Sequence, residues 1–382
     1  VFRRFAALLI LAAPVLLIGS SEATWGAAPS SAALPLRDAH VLTMSSLATE
    51  RGDEDRAEGA VVLVVLDGVR WQEVFYGADR ALAKARGLNP LVWANPRALM
   101  PNLYRFLDTH AVGVGAPGHG ADIVASGPNY ISLPGYREIF AGRADPGCDR
   151  NDCARAVGRT IADDIFESDG RGEVAVVASW PNIARAVSVD PSPFALTAGR
   201  HKIENSGTLR TDPSIATLID TGARASAWPG EGDYRPDAFT AAIALRYLAT
   251  ARPRFLFVGL GDADEHAHRN DYSRYLDAVH EADAFLGDLL VVLDGMGARG
   301  RHTTVVITAD HGRAYNFRDH GGRYPESARV WLVAGAADRT THGLVQGWRK
   351  HTLSEVAPTV RSLLGLPSDE PGEAIPEIVS TR

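Results

Sequence analysis

Val61-Val62-Leu63-Val64-Val65-Leu66-Asp67 is a run of six apolar residues, four of them β-branched, ending in a carboxylate. An unbroken apolar run of that length suits a strand buried on both faces of a parallel sheet, whereas a half-exposed strand would alternate. Similar runs recur at 173–178, 254–260, 303–309 and 329–334. Between and around them, helical periodicity appears at 98–108, 159–168, 236–251, 272–294 and 353–364. Pro236 opens one of these helices and Gly365 follows another, as helix punctuation requires. Strands alternating with helices predict a three-layer α/β/α sandwich around a mainly parallel sheet.

Residues 180–235 break the rhythm with prolines, glycines and short polar stretches. We expect this segment to be an inserted cap or long decorated loop, not an independent domain. Ahead of the first strand, Arg3 and Arg4 precede an apolar run from Phe5 to Ile18 and then Gly19-Ser20-Ser21-Glu22-Ala23. A basic start, a short apolar core and small residues predict a secretory signal peptide over 1–23. The run is short for a bilayer-spanning helix. Residues 24–58, rich in Ala, Ser, Pro and charge, read as a flexible tether. The catalytic domain is then expected over 59–382, in a periplasmic or secreted protein. A membrane would be met only through the N-terminal segment, were it left uncleaved.

The chain has 382 residues, 46% hydrophobic and 22% charged, with a net charge of −7. These values fit a globular protein. The charge argues against a nucleic-acid polymer as partner, because no basic stretch offsets it. Phosphate chemistry stays open, since bound metals can supply positive charge locally. The only cysteines, Cys148 and Cys153, lack Cys-x-x-Cys spacing and a second pair. In an exported chain they read as a small disulfide loop.

In open α/β sheets, ligands gather beyond the carboxyl ends of the strands. Asp67, Asp264 and Asp310 each follow a separate predicted strand, and His268, His311 and His320 lie beside them. A single strand-end Asp is ordinarily a turn or cap residue. Three together, each accompanied by an imidazole, have the donor composition of two adjacent divalent metals, with zinc preferred. A metal pair can clamp the attacking and leaving oxygens of a displaced phosphoryl group. His266, between Asp264 and His268, should point away from their face in a partly exposed structural role.

A nucleophile is offered by Ser132-Leu133-Pro134-Gly135-Tyr136, with Pro134 in the first turn of a helix that Gly142 closes. Free N–H groups at a helix start favour an anionic phosphate and a serine alkoxide. Ser132 in a purely capping role is the plainer reading. Ser126-Gly127-Pro128-Asn129 supplies a competing register. Gly113-Val114-Gly115-Ala116-Pro117-Gly118 satisfies a dinucleotide-binding pattern, yet the proline and the glycines that follow predict a loop. No Gly-x-Ser-x-Gly elbow surrounds a serine.

Taken in order, Val65 to Arg70, Ser132 to Gly142, Gly261 to His268, Thr308 to Gly312, His320-Gly321 and Ser354 to Val360 resemble the alkaline phosphatase superfamily. The closer resemblance is to its type I phosphodiesterase/nucleotide pyrophosphatase-like branch, in a bacterial Ser-x-Pro-Gly-Tyr form, over about 60–366. It implies that Asp67, Ser132, Asp310 and His311 hold one metal and Asp264, His268 and His320 the other. It implies a phosphoserine on Ser132, hydrolysed by water, and assigns Asn151 to a phosphate oxygen, with the Cys148–Cys153 loop fixing it. The substrate implied is a small phosphate mono- or diester. Transfer of a phosphoryl or phosphonoester group to a non-water acceptor, and a non-catalytic metal-binding protein, are the rivals. Related nucleotide enzymes often carry Thr-x-Pro-Asn, so nucleotide specificity does not follow. Sulfatases need Cys or Ser followed by x-Pro-x-Arg, whereas position 136 here is Tyr and the arginine is Arg137.

Overall fold

The computed structural model describes residues 59–156, 158–169, 174–191, 193–200, 212–367 and 372–380. They fall within one compact unit, Glu50–Arg382; the expected signal peptide and tether lie outside the described residues. Eleven strands are described: β1 Val61–Leu66, β2 Ala111–Val114, β3 Ile123–Val124, β4 Val174–Ala178, β5 Ala195–Ala198, β6 Phe255–Leu260, β7 Thr304–Thr308, β8 Arg329–Val330, β9 Leu332–Gly335, β10 Gly343–Leu344 and β11 His351–Thr352. The helices that frame the site are α1 Trp71–Tyr76, α2 Pro101–Thr109, α3 Ser132–Ala141, α4 Ile161–Asp169, α5 Pro213–Arg224, α6 Asp237–Ala251, α7 Asp262–His268, α8 Tyr272–Gly295 and α9 Val356–Leu363.

The central sheet has the order β10-β2-β9-β7-β1-β6-β4-β5. From β7 to β5 every pairing is parallel, and β9 alone runs against its neighbours. All six residues of β1 are buried, which is why its sequence does not alternate. Helices cover both faces: α2, α6 and α8 pack together in one layer, α3, α4 and α9 in the other. The three-layer mainly parallel sandwich is therefore the fold.

Two expectations need correction. The run at 329–334 is not one parallel strand. It divides into β8, paired with β3 in a separate three-stranded sheet, and β9, antiparallel to β7 and β2. Trp331 lies between them, fully buried, its indole N–H donating to the Val69 carbonyl at 2.9 Å. Nor does 180–235 stand wholly outside the sheet. Ala195–Ala198 adds β5 as its edge strand, and α5 packs on α6. The weak period of 195–198 hid a strand that needs only one parallel neighbour.

Among the described residues no helix is long and apolar enough to cross a membrane. The glycine-rich segment at 113–118 runs from β2 into a loop and opens no helix.

Candidate metal centre

Strands β7, β1 and β6 are immediate neighbours and parallel, so their carboxyl ends open at one place. Asp310, Asp67 and Asp264 follow those three ends, and all three are buried. Sheet order, invisible in the sequence, is what makes them converge. Gly68 lets the chain turn sharply after Asp67, with φ +60°; a Cβ there would overlap the Asp264 carboxylate and the Arg313 guanidinium.

Helix α3 brings the nucleophile candidate. It starts at Ser132 and ends at Gly142 in the left-handed conformation. Ile131, not Ser132, is its N-cap, and no side chain caps there, so Ser132 is released from the capping role. Its hydroxyl lies 3.4 Å from Asp67 Oδ1 and 3.4 Å from His311 Nε2. Ser126 is elsewhere: its hydroxyl donates to Glu138 Oε1 at 2.5 Å, as its backbone N–H does to the same carboxylate. Asn151 accepts from the Leu133 N–H at 3.0 Å, at the first turn of α3, and its own carbonyl accepts from Asn182 at 2.9 Å. Cys148 and Cys153 form the expected disulfide on either side of it.

The imidazoles are oriented by their far nitrogens. His311 Nδ1 faces the Gly312 carbonyl at 2.9 Å and His320 Nδ1 the Tyr130 carbonyl at 3.0 Å. A carbonyl only accepts, so each Nδ1 carries the proton and each Nε2 presents a lone pair. His320 Nε2 and His268 Nε2 are 3.0 Å apart, and His268 Nε2 lies 3.0 Å from Asp264 Oδ2. His311 Nε2 faces Asp67 Oδ1 at 3.4 Å and Asp310 Oδ2 at 3.5 Å. Asp310 Oδ2 is buried and accepts no hydrogen bond. Lone pairs and carboxylate oxygens aimed at one another repel unless cations stand between them. The donor set therefore fits divalent metals.

Donor atoms within 4.8 Å of one another form two groups, Asp264–His268–His320 and Asp67–Asp264–His311. Asp264 belongs to both, an overlap the sequence reading did not contain. Divalent metal use is thus supported by side chains from all three strand ends.

Electrostatics tell the same story. Burial and the neighbouring Asp264 push the Asp67 carboxyl up to about 8. Burial, Asp67 and Asp264 drive Asp310 well above the usual carboxylate range. Burial opposes ionisation of Asp264 too, yet Arg313, His268 and His320 hold it well below that range. Burial depresses His311 to about 4 and, with His311 beside it, His320 well below its ordinary value. Both imidazoles are thus neutral near pH 7, as metal ligands must be.

Two residues were missed. Arg313, fully buried, contacts Asp264 Oδ1 and donates to the Phe317 and Arg318 carbonyls. Tyr136 donates its phenol to Asp67 Oδ2 at 3.1 Å. Arg313 sits two positions after His311, and Tyr136 one helical turn after Ser132, which are the only sequence signals either carried. His266 is buried rather than partly exposed; its ring meets Trp228 edge-on, and burial lowers its pKa to about 4.

Residues 237–368, which include α6 through α9 and five of the six candidate metal ligands other than Ser132, match a known family model. The matching family is the Metalloenzyme superfamily. Among curated protein sequences, none matches this chain. Solved structures share the fold. The phosphonate monoester hydrolase of Agrobacterium radiobacter superposes with a TM-score of 0.53 at 16% identity, over 85% of this chain and 78% of that one. The lipoteichoic acid synthase from Listeria monocytogenes gives 0.53 at 11% identity, over 85% and 76%. A 2-O GAG sulfatase gives 0.53 at 12%, over 85% and 75%. The Metalloenzyme match covers residues 237–368, and the solved structures share this chain's fold.

Proposed function

We propose that the protein is an exported hydrolase of small phosphate mono- or diesters, from the type I phosphodiesterase-like branch, working through a phosphoserine on Ser132. The observation that carries this reading is the Ser132 hydroxyl, 3.4 Å from both Asp67 Oδ1 and His311 Nε2 at the start of α3. Asp67, Asp310 and His311 would hold one metal with Ser132, and Asp264, His268 and His320 the other. Two bound divalent ions, with zinc preferred, would supply the positive charge that acidifies the serine and receives the phosphoryl oxygens.

The chain's own groups do the rest. Ser132 Oγ forms a bond to phosphorus as the leaving oxygen departs and takes up a proton; water then cleaves the serine–phosphorus ester and releases phosphate. In the first turn of α3 the Leu133 N–H goes to Asn151 Oδ1, Pro134 has none and the Gly135 N–H goes to the Ile131 carbonyl. The Ser132 N–H is therefore the one that turn offers an anionic phosphoryl group. By accepting the Leu133 N–H, Asn151 fixes the first turn of α3 behind Ser132.

A phosphoryl rather than sulfuryl substrate is favoured by Arg137. It is turned to Asp145 and the Ala154 carbonyl, away from Ser132. A periplasmic or secreted location rests on the sequence at 1–23 and fits the Cys148–Cys153 disulfide. The decisive experiment is a screen of aryl phosphate mono- and diesters, sulfate esters and phosphonate esters, with elemental analysis of the purified protein. Turnover of phosphate esters lost in Ser132→Ala supports the reading. Sulfate-ester turnover alone refutes it, and release of the aryl alcohol only with an added alcohol acceptor, the phosphate being recovered on that acceptor, would favour a transferase.

A further inference from the structure

The three buried carboxylates share a pattern. Each has one oxygen engaged by a donor of the protein and the other turned toward an imidazole nitrogen. Asp310 Oδ1 accepts the Gly68 N–H at 3.1 Å, leaving Oδ2 without a partner and 3.5 Å from His311 Nε2. Asp67 Oδ2 accepts the Tyr136 phenol at 3.1 Å, leaving Oδ1 to His311 Nε2 and the Ser132 hydroxyl. Asp264 Oδ1 is held by Arg313, leaving Oδ2 to His268 Nε2.

A free aspartate can grip a divalent ion with one oxygen or two, and the choice sets how many positions remain for substrate. Here that choice is made by the donors behind the carboxylates. We propose that Tyr136 and Arg313 are positioning residues that restrict Asp67 and Asp264 to one coordinating oxygen each. The coordination positions thereby kept open are left to the serine, the substrate and water. The inference rests on the metal reading above and deepens it.

Both donors are built for the task. Tyr136 is buried, its ring stacked near Trp180 and edge-on to Phe257, so the phenol has one direction to point. One helical turn from Ser132, it ties the carboxylate to the helix that carries the nucleophile. Arg313 spends its remaining N–H groups on the carbonyls of Phe317 and Arg318 in the loop leading to His320. The guanidinium cannot lose its charge, and its planar fork fixes the direction of the contact. A lysine would keep the charge and lose the fork.

The test uses the full chain loaded with cobalt(II), whose visible absorption weakens as its coordination number rises. Tyr136→Phe removes one hydroxyl and little volume; Arg313→Lys keeps the charge and Arg313→Gln removes it. In Tyr136→Phe and Arg313→Gln we expect two metals still bound, about 10–100-fold more weakly. We expect their cobalt absorption to be less intense than wild type, as the freed oxygen coordinates. Arg313→Lys should fall nearer Arg313→Gln than wild type. Unchanged cobalt spectra in Tyr136→Phe and Arg313→Gln at full loading overturn the proposal while the metal reading stands. A wild-type chain that binds no cobalt, zinc or manganese overturns the metal reading itself and this inference with it. Should the arginine variants fail to fold, Tyr136→Phe alone decides the matter.

Discussion

Gly135 faces the backbone carbonyl of Asp310 so closely that a Cβ on it would lie 2.4 Å from that oxygen. Helix α3, with Ser132, and the loop after β7, with Asp310 and His311, touch through this glycine. The contact is what brings the serine within 3.4 Å of His311 Nε2. No side chain relaxes it, because the opposing atom is main chain. Gly135→Ala should therefore push the two elements apart. A displacement near 1 Å costs on the order of 10²-fold in rate. We expect kcat to fall by at least that much, with metal content reduced, while circular dichroism stays that of the wild type. Wild-type kinetics in Gly135→Ala would show that the approach is not needed.

Acid quench after brief exposure to an aryl phosphate should leave phosphate on the peptide containing Ser132. Ser126 is occupied by Glu138, so Ser126→Ala should keep the trapping and lose little rate. Ser132→Ala should abolish both. Trapped phosphate on Ser126, or full activity in both variants, would rule the covalent step at Ser132 out.

Above about pH 6.5 the metal-free protein should lose stability as pH rises; below that, the depressed His311 and His320 act in the opposite direction. Asp67 is raised to about 8 when folded, against about 3.9 unfolded. The native state holds a proton that the unfolded chain releases, so this contribution is present below about pH 4 and is lost as pH rises to about 8. Asp310 is shifted in the same direction and adds to the loss. Metal binding requires both to be deprotonated, so uptake at pH 7 should release protons. Calorimetry in buffers of different ionisation enthalpy measures that release. Melting of the chelated protein that is flat between about pH 6.5 and pH 8 would contradict the electrostatic account.

Reduction of Cys148–Cys153 should cost activity more than stability. The bridge spans a separation of five residues, and closing so short a loop is worth about 2 kcal/mol. Its other effect is on Asn151, which holds the first turn of α3 through Leu133. We expect a modest drop in melting temperature and a larger drop in kcat. Asn151→Ala should reproduce the kinetic loss with the disulfide intact. A reduced protein with unaltered kcat would separate the bridge from the site.

Glu73→Ala should be the most damaging substitution outside the site. Glu73 is fully buried, pairs with Arg70 and accepts the phenols of Tyr272 and Tyr275 at 2.8 and 3.2 Å. Removing it strands a buried guanidinium, which costs about 3–5 kcal/mol. Urea unfolding should register that loss. A midpoint unchanged from wild type would mean the network adds nothing.

The sequence by itself determined the elements that packing fixes locally. Strand β1 and its neighbours were legible because a strand buried on both faces must be apolar throughout, and α3 because Pro134 and Gly142 bracket it. The residue types were legible too: carboxylates at three strand ends with imidazoles beside them have few other uses. Tertiary structure alone decided which strands are neighbours, and so that Asp310, Asp67 and Asp264 meet. It also split the run at 329–334 between two sheets around Trp331 and drew Ala195–Ala198 into the edge of the larger one. Strand order depends on contacts between residues hundreds of positions apart, as between Gly68 and Asp310. Periodicity reports only a residue's own exposure, so Tyr136 and Arg313 read as ordinary until the carboxylates they hold came into view.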